Sequence, residues 1–211
     1  MNKTLIIGAS GQIGKMTTQK MLNNGQEVVA LVRDKSKLAD ITNDKLTIVE
    51  GDLEQDFSHA FKGCDQVIFS AGSGGSTGAD KTMLIDLWAA CKAADYAKNA
   101  GVSHFVMVSS IGADDPAQGS DKMKPYLVAK HMADEHLIQS GLTYTIIRPG
   151  SLTDDNAKGS FQSAKPDSKD KMTITREDVA SALAYAVGNS ALNNKIFELF
   201  NGDKTLEKTF V

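Results

Sequence analysis

Residues Leu5 to Gly14 read LIIGASGQIG. Three apolar residues, Leu5, Ile6 and Ile7, run without alternation into Gly8, Gly11 and Gly14, the pattern of a strand buried on both faces that ends in a tight turn before a helix. Such a turn suits phosphate. Glycines there let backbone N–H groups approach an anion with no Cβ in the way, and the helix N-terminus adds partial positive charge and unpaired donors. The spacing is GxxGxxG rather than GxGxxG, a partial match to the dinucleotide-binding fingerprint. Three glycines also fit a tight connection with no ligand. Their place at the start of an alternating α/β pattern favours phosphate.

Around that stretch the chain has 211 residues, enough for one well-buried domain over 1–211 and too few for two full ones. A hydrophobic share of 41% with 23% charged residues is that of an ordinary globular chain. The net charge of -3 argues against nucleic-acid or membrane partners, which favour a basic patch. Met1-Asn2-Lys3 leads straight into the first strand and no run of 18 apolar residues occurs, so neither a signal peptide nor a membrane span is expected and the chain reads as cytoplasmic. Cys64 and Cys91 fall in different elements without metal-ligand spacing and read as reduced, packed thiols. His131 and His136 lie five apart, which is not the geometry of a zinc pair, and no metal site is expected.

Taken in order, Lys15 to Asn24 is an expected helix closed by Asn24-Gly25, and Glu27 to Val32 a second strand ending at Arg33-Asp34. In a dinucleotide fold an acidic side chain at that tip accepts from a ribose 2′-OH, whereas an arginine pairs with a 2′-phosphate. Arg33, followed by Lys35 and Lys37, therefore favours NADP(H) over NAD(H). The alternative is a solvated basic turn balanced by Asp34 and Asp40. Leu46 to Val49 gives a third strand leaving on Gly51-Asp52-Leu53, and Gln66 to Ser70 a fourth running into the open backbone of Ala71 to Gly75.

Lys81 to Asn99 follows as a long helix with Met83, Leu84, Leu87, Trp88, Cys91 and Ala94 as an apolar stripe, Asp86 lying just outside it. His104 to Val108 is a fifth strand that delivers Ser109 and Ser110 at its carboxyl end, where ligand sites of open α/β sheets lie. A polar loop, Gly112 to Lys124, precedes a helix from Tyr126 to Gly141, and Thr143 to Ile147 forms a sixth strand ending in Arg148-Pro149-Gly150. Ser151 to Lys171 has little apolar pattern and reads as a long loop on the substrate side, a lid or a disordered segment. Thr175 caps a last helix through Ala186, and Lys195 to Phe200 is a final strand before a charged tail. Strands alternating with helices imply an α/β fold, a doubly wound parallel sheet of Rossmann type in one domain.

Tyr126 and Lys130 stand four apart on one helix face. A phenol with an ordinary pKa of about 10 exchanges its proton near neutrality only where a cation favours the phenolate, and a lysine supplies that cation. A hydroxyl such as that of Ser110 then hydrogen-bonds the substrate oxygen as charge develops on it.

These residues, in this order, resemble the short-chain dehydrogenase/reductase superfamily: GASGQIG, Gly51-Asp52-Leu53, Ala71-Gly72, Ser110, the YLVAK run from Tyr126 to Lys130, and Arg148-Pro149-Gly150. More narrowly the chain is similar to the atypical single-domain NAD(P)H-binding members, which include flavin and biliverdin reductases, NmrA-like redox sensors and many proteins labelled epimerases. The resemblance covers essentially the whole chain. It implies catalytic roles for Ser110, Tyr126 and Lys130, with Asp86 standing where the superfamily has an active-site asparagine, and a further role for Lys130 at the nicotinamide ribose. It implies cofactor contacts from Gly8, Ser10, Gly11, Gln12, Ile13, Gly14, Arg33, Asp52, Leu53, Ala71, Gly72, Ser109 and Pro149.

The expected function is hydride transfer from NADPH to a small, planar acceptor such as a quinone, flavin or carbonyl compound. The alternatives are a non-catalytic NADP(H) redox sensor and, third, an epimerase using bound NAD. The short 151–171 segment argues against a large sugar nucleotide, and the expected assembly is a monomer or homodimer binding one small-molecule substrate.

Overall fold

The structure, a computed structural model, describes residues 2–75 and 77–211; Met1, the first of the residues expected to lead into the first strand, lies outside them. The unalternating apolar runs become strands buried on both faces. β1 (Lys3–Ile7), β2 (Glu27–Val32), β4 (Gln66–Phe69) and β5 (His104–Val108) have every residue from Thr4 to Ile7, Val28 to Val32, Gln66 to Phe69 and His104 to Met107 buried. With β3 (Leu46–Glu50), β6 (Tyr144–Pro149), β10 (Lys195–Asn201) and β8 (Phe161–Gln162) they form an eight-stranded sheet in the order β3-β2-β1-β4-β5-β6-β10-β8. All pairings are parallel except β10 with β8, which is antiparallel.

Helices cover both faces, so the core is split into two layers. One lies beneath α3 (Ala90–Asn99) and α4 (Lys124–Gln139) and is filled by Leu5, Ile7, Phe57, Phe61, Phe69 and Phe105. The other lies beneath α1 (Gln12–Asn23) and α5 (Arg176–Ala186) and is filled by Ile6, Met21, Ile68, Val106, Ile147 and Leu183. The strand order reverses beside β1, where β2 leads one way and β4 the other. Ligands of open α/β sheets bind outside the carboxyl ends of the strands at such a reversal, and Gly8, Arg33, Ala71 and Ser110 all follow strands there.

Three sequence expectations change. The helix from Lys81 to Asn99 is α2 (Ala79–Lys81), a π-helical stretch Thr82–Ala89 and α3 in succession. In the π stretch each hydrogen bond closes over five residues instead of four, which turns part of the expected stripe off the core, while Leu87 and Ala94 still pack into it and Cys91 stays buried. Met83, Leu84 and Trp88 are therefore exposed, while Thr82, Asp86 and Ala89 are buried.

The 151–171 segment is not a featureless loop. It contains β7 (Ser151–Thr153), paired with β9 (Thr173–Thr175), and β8 on the edge of the main sheet. The backbone N–H groups of Lys158 and Gly159 donate to the buried carboxylate of Asp178 at 2.9 and 3.0 Å, which fastens the middle of the segment to α5. These contacts escape a periodicity reading because the strands are two and three residues long. The charged tail, finally, holds α6 (Leu206–Thr209) and ends with Phe210 buried against Phe197 and Tyr185.

Candidate active site

The three glycines of the turn do different work. Gly8 has φ +85°, and a Cβ on it would lie 2.7 Å from Ala71 Cα; a Cβ on Gly14 would collide with the Gly8 carbonyl. Both are demanded by the protein's own packing. Gly11 is not: its backbone is extended at φ -73°, and a Cβ would meet only the Gly8 carbonyl oxygen at 3.3 Å. Gly11 instead opens on a groove of about 550 Å³ lined also by Gly8, Ser10, Arg33, Asp52, Leu53, Ala71 and Gly72. A cradle with a bare backbone at the start of a 12-residue helix fits the diphosphate of a dinucleotide.

At the far end of the groove stand Arg33 and Lys37. The acidic residues expected to balance them have their closest partners elsewhere: Asp34 caps a short helical turn by accepting from Ser36 N–H at 2.9 Å, with Lys37 adding only a longer-range attraction, and Asp40 pairs with Lys15 at 2.7 Å. Lys35 is taken by Glu50 at 3.2 Å. Among the described residues no carboxylate lies within 4 Å of Arg33 or Lys37. Two uncommitted cations thus face one end of the groove.

A second cluster forms where β5 and β6 end. Lys130 Nζ donates to the Val108 carbonyl at 3.1 Å, lies 3.3 Å from Asp86 Oδ1, and sits 5.8 Å from the centre of the Tyr126 ring. Burial alone would lower the lysine's pKa. The charges of Tyr126 and Asp86, the Asp86 hydrogen bond and Asp134 outweigh that, and the ammonium is held above its ordinary value. Asp86 is no solvated carboxylate, and its Oδ2 accepts from Ser73 N–H at 3.0 Å. Ser73 lines the groove, so one carboxylate joins the two clusters. Ser110 Oγ donates to the Ile111 carbonyl at 3.1 Å.

The other expected contact residues are engaged differently. Ile13, on α1, packs half-buried against the core beneath that helix, and the buried Pro149 offers its carbonyl to Ile111 N–H at 3.1 Å. Ser109 Oγ donates to Asp134 Oδ2 at 2.9 Å, and Gln12 turns its amide to Asp154.

Asp134 was not expected. It follows Tyr126 and Lys130 at the same four-residue interval on α4, and that spacing was the available signal. Its Oδ2 also takes Arg148 Nε and Nη2 at 3.0 and 2.9 Å, while its Oδ1 is buried with no partner. Burial raises its pKa against the opposing pull of Arg148, Ser109 and Lys130.

Residues 8–190 match the family described as NAD(P)H-binding. The chain belongs to this family. A Bacillus subtilis protein described as an uncharacterized sugar epimerase is 40% identical to this NAD(P)H-binding protein over 205 residues, 95% of each chain. The solved structure of a Bacillus halodurans protein named for the NAD-dependent epimerase/dehydratase class superposes with a TM-score of 0.92 at 41% identity, covering 99% of this chain and 98% of that one. Sanguinarine reductase from Eschscholzia californica is 38% identical over 113 residues, 50% of this chain and 41% of its own. The likeness to atypical short-chain dehydrogenase/reductase proteins thus extends over the whole Rossmann-type domain, and no helix among the described residues is long and apolar enough to cross a membrane.

Proposed function

We propose that this NAD(P)H-binding protein is an NADPH-dependent reductase that acts on a small, planar acceptor. The observation that carries the reading is the pair of uncommitted cations, Arg33 and Lys37, at one end of a groove whose other end leads through Ser73 and Asp86 to Lys130 and Tyr126. NADPH supplies a hydride when bound. Gly8, Ser10 and Gly11 cradle its diphosphate, Asp52 and Leu53 border its adenosine, and Arg33 pairs with its 2′-phosphate.

Tyr126 gives a proton from its hydroxyl to the acceptor, Ser110 turns its Oγ from Ile111 to the developing negative charge, and Lys130 uses its third N–H on the nicotinamide ribose. The likeness to sanguinarine reductase supports reduction as the reaction class. An epimerase reading draws on the two Bacillus relatives, but residues 151–171 supply two short strands and one helical turn rather than a substrate domain. A sensor reading has one observation of its own, the matching of the Lys130 charge by Asp86.

The test is NADPH oxidation against quinones, flavins and small aldehydes, with NADPH and NADH titrations alongside. Turnover supports the reductase. Tight NADPH binding with no turnover favours the sensor, and a preference for NADH removes the assigned role of Arg33.

A further inference from the structure

Gln12 and Arg176 converge on a single oxygen atom. Gln12 Nε2 donates to Asp154 Oδ1 at 3.1 Å, and Arg176 Nη1 donates to the same atom at 2.8 Å. Gln12 opens α1 and Arg176 opens α5, so both donors sit at the positive ends of helices. The two helices pack along each other, with Lys20 in the last turn of α1 paired to Glu177 in the first turn of α5 at 3.1 Å, and the two donors share this platform.

The acceptor is held differently. Asp154 comes from the stretch between β7 and β8, and its side chain is 70% exposed against 24% for Arg176. Exposed ion pairs contribute little to stability, so an anion with better geometry displaces this carboxylate readily. The neighbouring charges are already matched. Glu177 faces Lys20, and the Asp178 carboxylate accepts from Lys158 N–H, Gly159 N–H and Asn201 Nδ2, while its backbone N–H donates to the cap hydroxyl of Thr175. Once Asp154 leaves, Arg176 is the cation without a partner.

We infer that Gln12 and Arg176 form an oxyanion site and that Asp154 is the chain's own carboxylate standing in for the ligand in the free protein. The inference rests on the glycine turn being the cofactor's phosphate site. Gln12 lies inside that turn, between Gly11 and Gly14, so the cofactor's diphosphate is one source of the oxyanion. The phosphate of an acidic acceptor bound beside it is the other. In either case the 151–171 segment gives up its hold on the platform when the anion arrives.

The two members of the pair then have opposite effects. Arg176→Met removes the ligand's partner and weakens NADPH binding about tenfold, the size of one charge-assisted hydrogen bond. Asp154→Ala removes the competitor and tightens NADPH up to about fivefold, the upper end for an exposed pair. A merely structural pair gives both substitutions the same sign.

The measurements are calorimetric NADPH titrations of the parent and both variants, followed by FMN and riboflavin titrations of the NADPH-loaded proteins. Opposite shifts for NADPH identify the diphosphate. Unchanged NADPH affinity with loss of an FMN preference over riboflavin in Arg176→Met identifies the acceptor's phosphate. NADPH affinities within twofold of the parent in both variants, with no FMN preference lost, overturn the site while leaving the cofactor reading intact. A parent protein that binds no NADPH overturns the cofactor reading and the site together.

Discussion

Lys130 Nζ lies 3.3 Å from Asp86 Oδ1, and both side chains are almost wholly withdrawn from solvent. Asp86 accepts on both oxygens, from Ser73 N–H on one side and from the ammonium on the other. An amide has one acceptor oxygen, so an asparagine here satisfies one donor and turns its NH₂ toward the other. An asparagine in place of Asp86 is therefore not a neutral replacement in this chain.

Asp86→Asn is expected to cost about 3 to 5 kcal/mol of stability at neutral pH, because it leaves a buried ammonium short of its counter-charge. The pH dependence has a definite sign. Lys130 has a raised pKa in the folded protein, so its contribution is fully present below the unfolded value near 10.4 and disappears as pH rises through the higher folded value. In the variant that loss begins at lower pH, and the stability gap to the parent narrows once Lys130 is neutral. Urea melts at pH 7 and above pH 10 measure it, and a gap that does not change with pH removes the charge argument.

Gly11→Val separates ligand from fold. Gly11 has an allowed backbone for any residue and open space toward the groove, so the variant should melt within about 1 kcal/mol of the parent and lose dinucleotide binding. Gly14→Val, by contrast, drives a side chain into the Gly8 carbonyl and should fail to fold. Normal NADPH affinity in a folded Gly11→Val protein contradicts the phosphate assignment.

The strands and their carboxyl-end glycines were legible because burial on both faces writes an unbroken apolar run, as in Leu5 to Ile7 and Val28 to Val32. The π stretch was not. Its registration depends on where Asp86 finds Ser73 and Lys130, contacts made across 13 residues and more of chain, and the apolar letters Met83, Leu84 and Trp88 point the wrong way for a reader who assumes α spacing. The same holds for Arg176, whose place after the Thr175 cap gives no sign that Asp154 and Gln12 stand beside it in space. Sequence spacing reports a helix face; it does not report what a loop brings to that face.

Arg33→Ala reads the choice of cofactor. A charge-assisted contact to a 2′-phosphate is worth about 1.5 to 3 kcal/mol, so NADPH affinity should fall about 10- to 150-fold while NADH affinity changes little. Lys37→Ala, on the same groove wall, should show the same selectivity with a smaller loss, since an ammonium lacks the guanidinium's bidentate fork. Fluorescence titration of the two nucleotides decides it, and equal losses for both show that neither cation reads the extra phosphate.

Tyr126→Phe bears on whether the protein turns over at all. The substitution keeps the ring beside Lys130 and removes only the hydroxyl, so NADPH affinity should hardly change. If that hydroxyl delivers the proton, kcat with the best acceptor falls by about 10² to 10⁴, the usual contribution of general acid catalysis. Lys130→Met should harm affinity and kcat together, because the ammonium is assigned both the ribose and the support of Tyr126. The pairing of that ammonium with Asp86 sharpens the alternative. A lysine whose charge is already matched polarises a phenol less than a lone one does, and an acceptor whose reduced form is a delocalised anion needs no enzyme-borne acid, since water supplies the proton. Undiminished turnover in Tyr126→Phe with a flavin or quinone would therefore assign YLVAK to holding the cofactor and leave the protonation step to solvent, whereas a fall confined to kcat places the proton on Tyr126.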